Sequence, residues 1–168
     1  AMAGTDRVLA GITRAPGVRY RALVPNLRGA EAALDAGADE LEVVLSVSAT
    51  HNVRNLKMTV DDSVAQIAGI VERAAGDAVP VEAILATSFG CPYEGRIEPA
   101  AVVAVASRLR DHGVATFSFA DTTGMATPPT VVALLDEVAS GGWPADSVAL
   151  HLHNTRGTGL ANLVVAAQ

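Results

Sequence analysis

The stretch that decides the fold is Ser147-Val148-Ala149-Leu150-His151-Leu152-His153-Asn154-Thr155-Arg156-Gly157. It is an apolar run of strand type that carries two histidines and ends on a glycine, before a new helical pattern begins. Side chains two residues apart on a β-strand point the same way, with their Cα atoms about 6.5–7 Å apart. His151 and His153 can therefore bind one metal ion from one face of a strand, or merely hydrogen-bond to neighbours in a half-buried strand.

Similar strands recur along the chain and alternate with amphipathic helices. Strands are predicted over residues 18–24, 40–46, 79–89, 115–120 and 148–153, and helices over 6–14, 28–36, 60–75, 99–112, 128–140 and from 160 onward. Residues 47–58 are polar and irregular, and they predict the longest loop. This alternation is typical of right-handed βαβ units around a parallel sheet. Five such units fit either an open doubly wound sheet or a piece of a (β/α)8 barrel, because a closed barrel needs eight.

We therefore expect one α/β domain over residues 1–168, with an N-terminal segment at 1–18 and five βα units at 19–168. The net charge of −6 and the lack of a basic cluster argue against nucleic acid as a partner, since phosphate binding needs concentrated Lys and Arg. No apolar run reaches the roughly 20 residues of a membrane span, so no membrane association is expected. The lone cysteine, Cys91, favours a reducing, cytoplasmic setting.

Polar residues gather where the predicted strands end. In a parallel sheet these ends share one rim, where α/β proteins place their chemistry. Asp121 follows the fourth strand and is a candidate third metal ligand, an acid or base, or an orienting partner for an imidazole; alternatively, it only binds backbone amides in the turn to Gly124. Cys91 is more typical of packing than of reactivity, and His51 lies in the predicted rim loop within reach of a ligand.

Three motifs in order resemble one known family. They are Gly90-Cys91-Pro92-Tyr93-Glu94-Gly95, Asp121-Thr122-Thr123-Gly124 and His151-Leu152-His153-Asn154-Thr155-Arg156-Gly157. Together with the Pro25-Asn26 turn, they are similar to the hydroxymethylglutaryl-CoA lyases among the pyruvate-carboxyltransferase-like metallolyase barrels. The likeness covers about residues 19–168, and the first motif is the discriminating one.

The resemblance implies a partial (β/α)8 TIM barrel, corresponding to about strands 3–7 of the complete fold. It implies a lyase that uses Mg²⁺ or Mn²⁺ to cleave 3-hydroxy-3-methylglutaryl-CoA, an acyl-CoA substrate, into acetyl-CoA and acetoacetate. The implied residues are His151 and His153 as metal ligands, His151 and Asp121 as catalytic groups, and three residues near the acyl substrate: Ser48, Ser118 and Thr122.

The chain also departs from the family pattern. The family's first strand, with an adjacent Arg and Asp, has no counterpart before Tyr20, and its eighth-strand Asn ligand and Cys-bearing loop would lie beyond Gln168. Ala49 replaces a common glutamate, and Asn154 stands where many members have Asp. We therefore expect the activity of this chain to be impaired.

Two other interpretations stay open: a non-catalytic acyl-CoA-binding, metal-binding or oligomerising remnant, and a related aldolase or acyl-CoA condensing enzyme. Missing barrel strands leave apolar faces and unpaired backbone groups exposed. We therefore also expect the chain either to form homo-oligomers or to be part of a longer enzyme.

Overall fold

A computed structural model describes residues 4–168 and contains a five-stranded parallel sheet. Its strands are β1 (Arg21–Leu23), β2 (Glu40–Ser46), β3 (Val81–Ala86), β4 (Thr116–Ala120) and β5 (Val148–His151). The helices are α1 (Thr5–Gly11), α2 (Leu27–Asp35), α3 (Ala49–Leu56), α4 (Val60–Ala75), α5 (Pro99–Asp111), α6 (Pro128–Ser140) and α7 (Gly159–Ala166). A single 3₁₀ turn, Ala145–Ser147, precedes β5.

The strand order decides between the two folds that the sequence leaves open. The strands pair in the order β1-β2-β3-β4-β5, each parallel to its chain neighbour. A doubly wound sheet reverses its order at a switch point, whereas consecutive right-handed crossovers place every helix on the same face, as in a barrel. The described residues therefore form five consecutive βα units of a barrel wall.

Side-chain alternation separates the two faces of this wall. On the convex face Leu41, Leu45, Leu85 and Phe119 are fully buried under the helices. The opposite, concave face carries Val44, Ile84, Ser118, Ala149 and His151, of which the last two are exposed. The concave face is the one that becomes the interior of a closed barrel, and its upper row lies at the carboxyl ends of the strands.

The prediction of a loop over residues 47–58 is wrong, because most of this segment is helix α3. Ser48 begins the helix by accepting a hydrogen bond from the His51 N–H. Asn52 is fully buried; it accepts from the Ser46 N–H and donates to Ser63 Oγ on α4. A polar sequence thus folds as a helix because one buried amide anchors it to both the strand and the next helix.

Three predicted strands are shorter in the structure by two residues or more. The strand expected over residues 79–89 is only Val81–Ala86, because Ala78 and Thr87 have left-handed backbone angles (φ 55° and 61°) that end it on both sides. The strand expected over 18–24 is only Arg21–Leu23, which pairs with β2 and with no other strand of residues 4–168. The strand expected over 148–153 ends at His151, so His153 lies just beyond it.

Local capping groups begin or end several of the helices. Asn26 accepts the Gly29 N–H at the start of α2. Thr59 and Asp62 form a reciprocal capping box at the start of α4, and Pro99 opens α5. His112 caps the C-terminus of α5, as its position before Gly113 indicates.

A charged cluster lies at the amino ends of the strands. Arg21 on β1 pairs with three carboxylates, those of Glu40, Glu42 and Glu82. Desolvation is the largest influence on Glu82, and it raises the pKa of that carboxyl above its ordinary value despite the opposing Arg21 guanidinium. This end of the wall is therefore built from ion pairs, and the candidate chemistry lies at the other end.

Helix α7 packs on α6 but leaves three large apolar side chains exposed: Leu160, Leu163 and Val164. Within residues 4–168, no helix is both long and apolar enough to cross a membrane.

Candidate metal and acyl-substrate site

The two histidines meet at the upper rim of the concave face. Their Nε2 atoms are 3.2 Å apart, and the two rings are nearly perpendicular. His151 is exposed at the end of β5, and His153 is half-buried just after it. The expected convergence of the two imidazoles is therefore present, although the turn after β5, rather than a continuous strand, brings it about.

A backbone carbonyl of the neighbouring loop sets the tautomer of His153. Its Nδ1 lies 3.1 Å from the carbonyl oxygen of Thr122. A carbonyl oxygen can only accept, so Nδ1 must carry the proton and donate. Nε2 of the neutral ring then carries a lone pair, directed at Nε2 of His151, which is the state of a metal ligand whose other nitrogen is held by a backbone carbonyl.

The pair fits a divalent cation as two of its ligands. Two ligand atoms that each lie about 2.0–2.2 Å from one cation are about 3.0–3.5 Å apart at coordination angles of roughly 90–110°. The observed separation of 3.2 Å falls in this range. Within residues 4–168, however, no third histidine, cysteine, aspartate or glutamate joins them in a metal-binding group. The structure therefore brings two candidate ligands together, and Asp121 does not complete a set of three.

Asp121 lies next to this pair in the sheet. Its backbone N–H donates to the His151 carbonyl across 2.8 Å. Its side chain is 1% exposed, and Oδ1 accepts from the backbone N–H groups of Met125 and Ala126. The turn-stabilising interpretation is thus correct for one oxygen. The other oxygen, Oδ2, is buried without a hydrogen-bond partner in the described chain.

The three residues expected near the acyl substrate have different surroundings. Ser118 lies on the concave face opposite Ala149, one row below His151, so the structure brings it to the site. The Thr122 hydroxyl accepts the Thr87 N–H, and the Ser48 hydroxyl donates to Cys91 Sγ and caps α3. Thr122 thus holds the rim through both its hydroxyl and its carbonyl. The buried Ser48 belongs to the base of α3, and its role toward substrate stays a prediction.

The glycine of the Asp121–Gly124 motif is required by a close approach of two loops. Gly124 has φ +65°, and a Cβ there would lie 2.5 Å from Cβ of Thr155 in the loop after β5. Arg156 donates to the Gly124 carbonyl from the same loop. The two loops that flank the histidine pair are therefore held directly against each other.

The Gly90–Gly95 loop has a structural task that the sequence does not reveal. The Glu94 carboxylate accepts the Thr50 N–H at the start of α3 across 2.6 Å, and the Arg54 guanidinium lies 4.4 Å above the Tyr93 ring. Cys91 is fully buried against Ser48, which confirms its packing role. Sequence reasoning missed the contacts that Glu94 and Ser46 make, because their partners Thr50 and His51 belong to a segment predicted to be irregular.

Comparison with known proteins identifies close relatives of this wall. The family described as HMGL-like matches residues 8–168. The hydroxymethylglutaryl-CoA lyase of Bacillus subtilis is 40% identical over 161 residues, which cover 96% of this chain and 54% of that protein. The crystal structure of the HMG-CoA lyase from Brucella melitensis superposes with a TM-score of 0.94 at 39% identity, covering 98% of this chain and 58% of that one.

A third relative carries a ligand. The HMG-CoA lyase from Acinetobacter baumannii, in complex with coenzyme A and 3-methylmalate, has a TM-score of 0.92 and 40% identity, covering 98% of this chain and 53% of that one. The chain thus spans about half the length of the curated relatives that it matches. Their fold confirms the prediction of a partial TIM barrel.

Proposed function

Because this chain belongs to the HMGL-like family, we propose that it forms part of a divalent-metal-dependent lyase that cleaves 3-hydroxy-3-methylglutaryl-CoA into acetyl-CoA and acetoacetate. The observation that carries the proposal is the pair of Nε2 atoms 3.2 Å apart at the rim of a barrel wall. Relatives named as lyases of this substrate, 35–40% identical over nearly the whole chain, support it.

The reaction needs a proton removed and a proton returned. Loss of the proton from the tertiary hydroxyl allows the carbon–carbon bond to break, with the hydroxyl carbon becoming the ketone of acetoacetate. The electron pair of that bond stays on the two-carbon thioester, which takes up one proton to become acetyl-CoA. The site must therefore hold the hydroxyl oxygen and supply a group that moves protons.

His151 and His153 would hold Mg²⁺ or Mn²⁺ through their Nε2 atoms. A cation bound there supplies Lewis-acid polarisation of substrate oxygens. The Thr122 carbonyl keeps His153 in the ligand tautomer. Asp121 Oδ2, buried without a partner in the described chain, is the atom we assign to proton transfer, and His151, whose backbone carbonyl accepts from the Asp121 N–H, is the second catalytic group.

Ser118, one row below His151 on the concave face, would contact the acyl portion of the substrate, with Ser48 and Thr122 bordering it. An acyl-CoA ligand is supported by the coenzyme A in the Acinetobacter baumannii relative. Since the described residues bring together only two candidate ligands, the 168-residue chain by itself should be impaired. A cytoplasmic location, favoured by the single buried thiol of Cys91, completes the proposal.

The test is a product assay on the longest reading frame that contains this chain. With Mg²⁺ or Mn²⁺ present, 3-hydroxy-3-methylglutaryl-CoA should yield acetoacetate and acetyl-CoA in equal amounts, and His153→Ala should reduce kcat by at least about 10²-fold. His112→Ala, at the opposite end of the sheet, is the matched control and should keep full activity. Absence of both products in the unmodified protein, with another acyl-CoA or 2-oxo acid consumed instead, would indicate a different enzyme of the same fold.

A further inference from the structure

A second imidazole site lies at the upper rim, on the other side of the concave face from the histidine pair. The Ser46 hydroxyl is 2.7 Å from Nδ1 of His51. Ser46 ends β2 and follows the convex, fully buried Leu45, so its side chain lies on the concave face. The His51 ring that contacts it must therefore cover the concave side of the rim.

The position of Ser46 in the sheet relates His51 to the candidate centre. Ser46 pairs with Ala86 on β3, and Ala120 on β4 pairs with His151 on β5. Since Leu85 pairs with Phe119, these four residues form one row across the sheet. Three strand spacings of about 4.8 Å separate its ends, or about 14 Å along the sheet. The two imidazole groups thus face the same mouth from opposite sides.

Burial fixes the tautomer of His51. Ser46 is 0% exposed, and within residues 4–168 its hydroxyl has one hydrogen-bonding partner, His51 Nδ1. A buried hydroxyl donates its proton rather than leave it unpaired, so Nδ1 accepts. The proton of the neutral ring is then on Nε2. His51 consequently presents an N–H donor, the opposite of the lone pair that His153 presents.

The Nε2–H group of His51 is free to donate to a ligand, and an aromatic ring lies near the imidazole. His51 Nε2 has no hydrogen-bond partner in the described part of the chain, and the residue is half-buried. The centroid of the Tyr93 ring lies 6.3 Å from that of the His51 ring. The Arg54 guanidinium stacks on the Tyr93 ring. The nearby Glu94 carboxylate is already held by the first turn of α3. A free N–H donor pairs with an acceptor, such as an oxygen that carries full or partial negative charge.

We infer that His51, whose tautomer is set by Ser46, is a specificity-determining residue. Its Nε2–H donates a hydrogen bond to an oxygen of the acyl portion of the substrate. The inference rests on the proposed function, because the acyl-CoA substrate is the ligand of the same mouth. Its ligand chemistry is a carbonyl or carboxylate oxygen, which the substrate offers at the thioester and at its free carboxylate.

The experiment compares KM with kcat for 3-hydroxy-3-methylglutaryl-CoA, using the longest reading frame that contains this chain. His51→Phe should raise KM by about tenfold or more, the effect of losing one hydrogen bond to a charged or polar oxygen, with kcat within about threefold. His51→Gln places an amide N–H near the position of Nε2 and should recover most of the loss. His112→Phe is the matched control, and an unchanged KM in His51→Phe would overturn the inference.

Two further readouts separate a substrate contact from a purely structural role. The ¹⁵N chemical shifts of His51 should show a protonated Nε2 and an unprotonated Nδ1, and Ser46→Ala should mix the two tautomers; a protonated Nδ1 in the unmodified protein would overturn the inference. Inhibition by the two products locates the contact. Weaker binding of acetyl-CoA to His51→Phe indicates the thioester oxygen, and weaker binding of acetoacetate indicates the carboxylate. Unweakened binding of both would contradict any contact.

A direct binding measurement distinguishes failure of this inference from failure of the proposed function. Binding of 3-hydroxy-3-methylglutaryl-CoA is measured calorimetrically with EDTA present, so that no turnover is needed. If the unmodified protein produces no acetoacetate but the ligand still binds more weakly to His51→Phe, the lyase proposal is refuted and the contact with His51 is supported. Equal binding to both forms, together with normal turnover, would refute the contact and keep the lyase.

Discussion

Asp121 divides its two carboxylate oxygens between structure and chemistry. Oδ1 holds the turn after β4 through two backbone amides, and Oδ2 is buried without a partner within residues 4–168. An unpartnered buried oxygen is costly, and such costs concentrate at functional sites. Substitutions of Asp121 can test the roles of its two oxygens separately.

Asp121→Asn should retain the Oδ1 contacts and replace the unpartnered oxygen with an amide nitrogen that cannot accept a proton. We expect a fall in kcat of about 10²–10⁴-fold with a small loss of stability. Asp121→Ala leaves two backbone N–H groups without their acceptor and should also lower the free energy of unfolding by about 1–3 kcal/mol. Urea unfolding and the acetoacetate assay measure the two effects. Full activity in Asp121→Asn would exclude a proton-transfer role.

At the residue scale, the sequence predicts which residues lie at the rim but not the tautomers of the histidines. The identity of His151, His153 and Asp121 as rim residues follows from their positions at strand ends, which the apolar patterns locate well. The tautomers of His153 and His51 depend on the Thr122 carbonyl and the Ser46 hydroxyl. The first of these partners lies about 30 residues away along the chain, so no local pattern reveals that contact.

At the scale of elements, α3 is the part that sequence reasoning got wrong. Its low apolar content hides a helix that tertiary contacts stabilise: buried Asn52 on one side and Glu94 from a distant loop at its start. Helices with strong caps and apolar stripes, such as α4, are predicted correctly because their determinants are local.

Glu94 and Glu82 predict opposite pH dependences of stability. Partial desolvation acts to raise the pKa of the Glu94 carboxyl. Hydrogen bonds from Thr50 and its neighbours outweigh this effect and keep that pKa below its ordinary value. Its contribution is therefore present above the ordinary carboxyl pKa and is lost as pH falls. The pKa of Glu82 is raised, so its contribution is greatest at low pH and is lost as pH rises through the raised value.

Urea unfolding at several values between about pH 3 and 7 measures both contributions. Relative to the unmodified chain, Glu94→Gln should lose more stability at neutral pH than at low pH. Glu82→Gln should instead become relatively more stable as pH rises. The two variants serve as controls for each other, since each removes one carboxyl without changing side-chain size. Parallel pH profiles for both would contradict the assignment.

At the scale of the whole molecule, the five-stranded wall has two open edges. Among the described residues, β1 and β5 each pair on one side only, and α7 exposes Leu160, Leu163 and Val164. Unpaired strand edges and apolar patches promote association with another chain. Sequence patterns predicted the five βα units, because the alternation of strands and helices follows from burial, but the strand order that distinguishes a barrel wall from a doubly wound sheet came from the structure.

We expect the 168-residue chain to self-associate through these surfaces. Sedimentation velocity should show a sedimentation coefficient that rises with protein concentration, and the double variant Leu160→Glu, Leu163→Glu should reduce it toward the monomer value. Val132→Glu, an exposed position on α6, is the matched control. A monomer at all concentrations, with cooperative unfolding, would contradict the expectation.

The proposed function depends most on the binding of a cation by His151 and His153, and the four histidines of the chain allow a direct test. Mn²⁺ is added to ¹⁵N-histidine-labelled chain, and paramagnetic broadening of each imidazole signal is followed by NMR. Broadening should begin at His151 and His153 and spare His112, and His153→Ala should abolish its selectivity. Equal broadening of all four signals, or unchanged broadening of His151 in His153→Ala, would contradict a metal site at this rim.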